Sequence, residues 1–428
     1  MKKRHYLTIN AYWFGLAFMW NGLHPIILPA LLLPAAGRQA LVPEALKNTY
    51  LGGMTFVGLI LAMIVQPLAG ALSDRTRTRW GRRRPWMLAG TLLALVFLAV
   101  MAVAGNVWSS FWALAAAYFI LQIASNSAHG PAQGLIPDLV PQDRRGLASG
   151  LKNLFDMAGL VVTSLVGGQL MADGNPVLAF GVTGAVLALA TLVTLFDAPE
   201  TPAPSAGQAP GEVPSRLRDL FRADWKAYPD YRRLLVSRYL ILLGIYAVQN
   251  FAQYYIRDWL ALPRPSEVTG NLMAAIGLAL TALVFPAGWL SDRIGRRTLN
   301  VAAGGLAALG ILLLAFARNL LGLYLFAGLI GAATGVFLSV NWAWATDLIP
   351  GEEAGKFLGL SNLATAGAGA CSRLAGPLID GINALWPGTH LGYPTTFVLA
   401  SVLTLAGALA MLRIRESPSI RQGQVAPR

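Results

Sequence analysis

Lys152 and Asp156 stand four residues apart inside an otherwise apolar run, residues 148–171. On a helix that spacing puts both side chains on one face, close enough to pair. Asp156 is about nine residues into the run, ~14 Å along a helix rising 1.5 Å per residue. If the run crosses a bilayer, a carboxyl that deep is costly and is a functional candidate for that reason. Burial favours the protonated carboxyl and a nearby cation favours the ionised one, so a lysine that approaches and withdraws makes a proton switch. Asp156 is therefore expected to carry a proton, with Lys152 governing its release. The alternatives are a permanent structural ion pair, or a Lys152 that snorkels to the membrane surface.

Neutral polar groups recur in other apolar runs. Gln122, Asn126, His129 and Gln133 follow steps of four, three and four and share one helix face. Tyr246, Gln249, Asn250 and Gln253 form a second stripe, and Trp20, Asn21, His24, Asn341, Trp342 and Trp344 add to the set. His129 titrates near neutral pH when unperturbed and is a second proton candidate, against the reading of a hydrogen-bonded neutral ring. Amides donate and accept in several directions, and aromatic faces cover the apolar faces of sugar rings. Together they suit a neutral polyol better than an ion. The competing role for each amide is hydrogen bonding between helices.

These residues need long helices to position them, and composition supplies those. The 428-residue chain is 55% hydrophobic and only 12% charged, about half the charge of a soluble domain. Twelve apolar runs read as membrane spans, at about 7–33, 48–72, 86–105, 109–137, 148–171, 176–196, 234–261, 268–290, 298–317, 321–348, 356–380 and 394–413. Backbone polar groups in lipid must be satisfied within the segment, so the spans are helices. The expected organisation is an N-terminal six-helix half (1–197), a linker (198–233) with a short amphipathic surface helix, a C-terminal six-helix half (234–413) and a tail (414–428). With the N-terminus inside, inner segments hold 25 of the 33 lysines and arginines and outer segments 5. That asymmetry places both termini in the cytoplasm of a multi-pass protein, expected in a bacterial inner membrane. The net charge of +13 is thus topological rather than a signature of nucleic-acid binding. The lone Cys371 excludes an internal disulfide and a cysteine metal cluster.

Two repeats tie the halves together. Gly70-Ala-Leu-Ser-Asp-Arg75 leading to Gly81-Arg-Arg-Arg84 returns as Gly288-Trp-Leu-Ser-Asp-Arg293 leading to Gly295-Arg-Arg297. Asp138-Leu-Val-Pro141 with Asp143, Gly146, Gly150 and Asn153 returns 209 residues later as Asp347-Leu-Ile-Pro350 with Glu352, Gly355, Gly359 and Asn362. Six spans per half in one orientation means parallel halves, an architecture that seats substrate near the midplane. At the same offset Asp156 meets Thr365 and Lys152 meets Ser361, so the charged pair belongs to one half alone.

Twelve spans with these loops resemble the major facilitator superfamily over essentially the whole chain. The longer loop, Ser73 to Pro85, resembles that of the glycoside–pentoside–hexuronide cation symporters and the sucrose/proton symporters. The stretch Asn126-Ser-Ala-His-Gly-Pro-Ala-Gln-Gly-Leu-Ile-Pro-Asp-Leu139 is similar to one in the sucrose transporters, with Gln133 where that stretch has arginine. The resemblance implies secondary transport by alternating access, most directly proton-coupled symport of a disaccharide or glycoside such as sucrose or maltose. It also implies an inner gate: Asp74 facing the start of span 11 near Lys356, and Asp292 the start of span 5 near Gly146. Asp138 and Asp347 are then natural partners for Arg75, Arg82, Arg83, Arg84, Arg293, Arg296 and Arg297. The alternative for the arginines is topology and anionic lipid alone. Sodium-coupled members carry acids in span 2; residues 48–72 have none, which favours the proton. A proton-driven exporter of amphipathic molecules or lipids fits the same fold, and a non-transporting sensor is the remaining reading. No His-Glu-x-x-His, Gly-x-Ser-x-Gly or phosphate-loop motif occurs, so neither an enzyme nor an ATP-driven pump is expected. The expected partners are a small-molecule substrate and membrane lipid, with no cofactor and no metal, in a monomer.

Overall fold

The computed structural model describes residues 3–35, 38–197, 228–349 and 354–414. Helices account for the described structure, apart from one bridge between Ala35 and Arg38. The first half contains α1 (Lys3–Gly22), α2 (Leu28–Leu32), α3 (Lys47–Arg75), α4 (Arg84–Asn106), α5 (Phe111–Gln133), α6 (Leu135–Leu139), α7 (Arg145–Ala172) and α8 (Pro176–Asp197). The second contains α9 (Pro229–Asn250), α10 (Ala252–Asp258), α11 (Pro265–Ile294), α12 (Arg296–Ala315), α13 (Leu320–Asp347), α14 (Ala354–Cys371), α15 (Ala375–Leu385) and α16 (Gly392–Ala410).

The repeat extends to the helix starts. Ser110 caps α5 by accepting from the Ala113 amide, and Asn319 caps α13 by accepting from Gly322. These two caps are 209 residues apart, the offset of the helix-end motif. Each satisfies a backbone donor that the first turn leaves without a partner. Prolines open α4, α8, α9 and α11, where their missing amide costs nothing. In the loops, Gly81 (φ 100°) and Gly295 (φ 92°) both sit in the left-handed region just before a basic helix start. A side chain there would strain the turn, so the repeated glycine is a backbone requirement.

Ten helices are long and apolar enough to cross a membrane, by length and composition and among the described residues. Eleven qualify if α9 and α10 count as one span bent by 49°. Twelve were expected. The remaining segment, 356–380, falls in three pieces: α14, a 3-10 turn at Ser372–Leu374, and α15. The second helix has only 11 residues, and the first, with 18, carries Lys356, Ser361 and Asn362 in its sequence. Span 1 is also interrupted, by a π-helical turn at Leu23–Ile27 that contains Pro25. Residues 198–227, which hold the linker's first part (198–214) and most of its expected surface helix (215–233), and the tail from 415 lie outside the described residues. Residues 229–233, expected in the linker's surface helix, instead form the first turn of α9.

The chain divides into two units, 1–213 with 263–274, and 214–262 with 275–428. In the first, α1 packs on α7 and α8, and α4 on α5 and α8. In the second, α9 packs on α14 and α16, and α12 on α13 and α16. The same scheme therefore builds both. The first turns of α11 join the first unit through a glycine contact: a Cβ on Gly168 would lie 3.1 Å from the Gly270 Cα. Arg264 pairs with Asp173 beside it at 2.7 Å. Large apolar side chains such as Phe196 and Trp112 face outward, as lipid contact requires and water contact does not.

Candidate functional site

On α7, Lys152 Nζ lies 2.8 Å from Asp156 Oδ2, and about a quarter of each side chain is exposed. The lysine has a second neighbour. Its Nζ sits 3.9 Å from the centre of the Trp13 ring on α1, within cation–π range. Trp13 meets His129 of α5 edge-on, at 5.2 Å between ring centres. Gln133, one turn along α5, brings its amide nitrogen to 3.4 Å from His129 Nε2. An amide N–H can donate only to an unprotonated ring nitrogen, so this contact fits a neutral His129. Gly159 makes the arrangement possible: a Cβ there would lie 2.6 Å from the Phe14 carbonyl oxygen, so only glycine lets α1 and α7 approach this closely. The three proton candidates thus share one cluster, joined through Trp13, which sequence reasoning did not single out.

The rest of the α5 stripe forms a hydrogen-bonded series. Gln122 Nε2 donates to the Tyr118 hydroxyl at 2.6 Å, and Asn126 Nδ2 donates to the Gln122 carbonyl and side-chain oxygens at 2.8 and 3.1 Å. His24 Nε2 lies 2.9 Å from the same hydroxyl, and Trp20 stacks on His24 at 5.0 Å. Asn21 donates to the Ala17 carbonyl one turn back. Tyr118 is the hub of this series. It escapes a sequence reading because a tyrosine in an apolar run looks like packing.

In the second unit, Asn250 Nδ2 donates to Ser372 Oγ at 2.9 Å, and Gln253 is buried past the bend at Phe251. Gln249 and Tyr246 are half-buried one and two turns earlier. Trp344 is wholly buried core, whereas Trp342, two residues away and on the opposite side of α13, is partly exposed. Trp342 lies under the guanidinium of Arg238, 5.8 Å from its ring centre. Arg238 Nε donates to Thr365 Oγ1 at 2.9 Å, and its Nη1 to Asn341 Oδ1 at 2.7 Å. Ser361 meets the Tyr231 hydroxyl at 2.8 Å. Positions 361 and 365 match 152 and 156. In one half a helix carries the lysine and the acid; in the other that helix carries hydroxyls, and its neighbour α9 brings an arginine to them.

The acids at the helix ends gather the loop arginines within their own unit. Arg83, buried, reaches Asp74 at 2.5 Å with Nη2, Asp138 at 3.1 Å with Nε, and Ser73 Oγ at 2.5 Å with Nη1. Arg82 pairs with Asp138 at 2.5 Å. In the repeat, Arg296 Nη1 lies 2.7 Å from Asp347, out of line for a hydrogen bond, and Nη2 lies 3.8 Å from Asp292. Asp74 and Asp292 therefore have loop arginines of their own halves as partners. The Lys356 side chain lies outside the described ones. Arg75 is exposed, Arg84 and Arg297 are half-buried, and Arg293 stacks on Trp289 at 3.9 Å. Among the described residues no group of three or more His, Cys, Asp or Glu is placed to hold a metal.

A family model described as MFS/sugar transport protein matches residues 43–356. A sucrose transport protein of Arabidopsis thaliana is 27% identical over 176 residues, 38% of this chain and 32% of that one. The chain spans about a third of the length of the first curated relatives it matches. A multi-drug resistance efflux pump homolog of Lactococcus lactis is 25% identical over 379 residues, 86% of this chain and 85% of the other. Among solved structures, nucleoside transporter NupG shares the fold with a TM-score of 0.73 at 13% identity, over 96% of this chain and 100% of that one.

Proposed function

Because the chain belongs to the MFS/sugar transport protein family, and is thus a secondary transporter of the major facilitator fold rather than an enzyme, we propose that it is a proton-coupled sugar symporter working by alternating access. The observation that carries the reading is the Lys152–Asp156 contact at 2.8 Å, a quarter exposed, inside a candidate membrane span. A carboxyl in that position can exchange a proton with an opening cavity, and a lysine held on an indole face can move off it at modest cost. His129 is the second proton candidate. The amides and aromatics of α1, α5, α9, α10 and α13 are the substrate groups. The charge asymmetry of the loops supports cytoplasmic termini in a cell membrane.

Uptake of radiolabelled sucrose and maltose into proteoliposomes under an imposed pH gradient, with and without sodium, tests the reading. Accumulation driven by the pH gradient alone is expected. Efflux of a lipophilic cation such as ethidium, with no sugar uptake, would favour the exporter that the Lactococcus lactis relative suggests.

Two further outcomes follow from the assignment. Asn126→Ala and Gln249→Ala are each expected to weaken substrate affinity by about 1–3 kcal/mol, the cost of unpairing a buried polar group. Unchanged affinity in both would return the stripes to helix packing. Asp74→Asn and Asp292→Asn are expected to slow substrate exchange while the protein stays folded. Wild-type exchange in both would remove these aspartates from the gate.

A further inference from the structure

The transport reading above uses one charge cluster, the half-buried Lys152–Asp156 pair. Arg238 forms another, in the other unit. It is only 5% exposed and lies ten residues into α9, ~14 Å along the helix. A guanidinium stays protonated in proteins, so the charge cannot be relieved by losing a proton. Its hydrogen-bond partners, Thr365 Oγ1 and Asn341 Oδ1, are both neutral. Tyr231 and Tyr246 are within electrostatic reach, and neither is an acid at neutral pH. Among the described residues no carboxylate lies within ion-pair distance of Arg238. Two of the other buried cations, Lys47 and Arg83, contrast with it: each has an acid, Glu44 for the first and Asp138 and Asp74 for the second.

Asn341 adds a second unmatched donor. A guanidinium only donates, so it fixes the amide with Oδ1 towards Arg238 and Nδ2 turned away. That Nδ2 is fully buried and has no acceptor among the described residues. A buried cation short of an anion thus adjoins a buried N–H short of an acceptor. Leaving either unmatched is costly. A sugar hydroxyl would satisfy the amide and leave the charge; an oxyanion satisfies both. The planar fork of arginine suits two-oxygen groups in particular.

We propose that Arg238 and Asn341 seat an oxyanion, a carboxylate or phosphoryl group borne by the transported sugar. The proposal rests on the sugar-transport reading and narrows it, since a substrate of neutral hydroxyls alone would leave this seat unused. The matching positions of the first half carry their own acid in Asp156; here the ligand brings it.

The test is isothermal titration of the purified full-length protein with glucose, glucuronate and glucose 6-phosphate, which share one ring and differ at the sixth carbon. Benzoate and inorganic phosphate serve as anions without a sugar. At least tenfold tighter binding of glucuronate or glucose 6-phosphate than of glucose is expected, and the stronger of the two identifies the anion. Arg238→Gln and Asn341→Ala should each reduce that preference, the first to none. Arg238→Lys keeps the charge, guards against misfolding, and should retain only part of it. Glucose binding as tightly as both charged sugars would overturn the seat and leave the sugar reading standing. A preference that survives unchanged in Arg238→Gln would also overturn it, as would a protein that binds none of the five. Arg238-dependent binding of benzoate or phosphate with no sugar bound would uphold the seat and remove the sugar. Should Arg238→Gln fail to fold, the wild-type ranking of the three sugars still decides.

Discussion

Asp156→Asn should abolish accumulation of substrate against its gradient while counterflow between two loaded compartments continues. Asparagine keeps the shape and can still meet Lys152, but it carries no exchangeable proton at working pH. In a proton symporter accumulation needs the proton, whereas counterflow needs only alternation of the loaded site. The 2.8 Å contact makes the substitution a mild one structurally, because a carboxylate is replaced by an amide oxygen at the same place. Lys152 also keeps Trp13 as a neighbour, so its charge is not abandoned. Measured uptake under an imposed pH gradient decides. A mutant that still concentrates substrate as wild type does would move the proton to His129, the next titratable group in the cluster. A mutant that loses counterflow as well would make Asp156 a structural or substrate-binding residue.

Arg83→Gln should lower the thermal stability of the purified protein by about 2–3 kcal/mol. Breaking a fully buried ion pair costs ~3–5 kcal/mol. The lower figure applies here because Asp138 retains Arg82 and Asp74 is half exposed to solvent. Arg83→Lys should not rescue it. Three separate nitrogens of the guanidinium reach Asp138, Asp74 and Ser73, and an ammonium cannot span all three. Arg75→Gln is the control, since Arg75 belongs to the same basic loop but is exposed. Equal melting temperatures for the Arg83 and Arg75 variants would reduce the buried arginine to a topological charge.

Much of this architecture is written openly in the chain. The Gly-x-Leu-Ser-Asp-Arg loops and the 209-residue offset are local patterns, and local chemistry determines them: a left-handed glycine, a capping side chain, an acid at a helix end. Spacing alone also brings Lys152 to Asp156, because both lie on one helix. Contacts between helices are less legible. Trp13 reaches Lys152 only because Gly159 lets two backbones approach, and no periodicity in either segment announces that partnership. The same holds for Arg238 and Thr365, which are 127 residues apart. Helix breaks are the other blind spot. The bend at Phe251 interrupts an apolar run that passes as one span, and the 3-10 turn after Cys371 breaks another that reads as one in the sequence. Trp342 and Trp344 illustrate a finer limit. Two residues apart on a helix they face different ways, so one joins the core and the other accompanies Arg238; the sequence shows the divergence but not which way the helix is turned.

The broken segment from Ala354 to Leu385 bears on how the chain is made. A ribosome delivers one segment at a time to the insertion machinery, and each enters lipid according to its own hydrophobicity. This segment carries Arg373 and Asp380, both buried in the finished protein, and a charge at mid-segment costs about 2.5–3.5 kcal/mol at insertion. It is therefore a poor candidate for entering lipid unaided. The hydrogen bond from Asn250 to Ser372 links it to a helix synthesised 122 residues earlier, already waiting in the bilayer. Integration of this stretch thus depends on a partner made long before it. Lesions at that contact should surface first as truncated or degraded nascent chains, ahead of any defect in turnover.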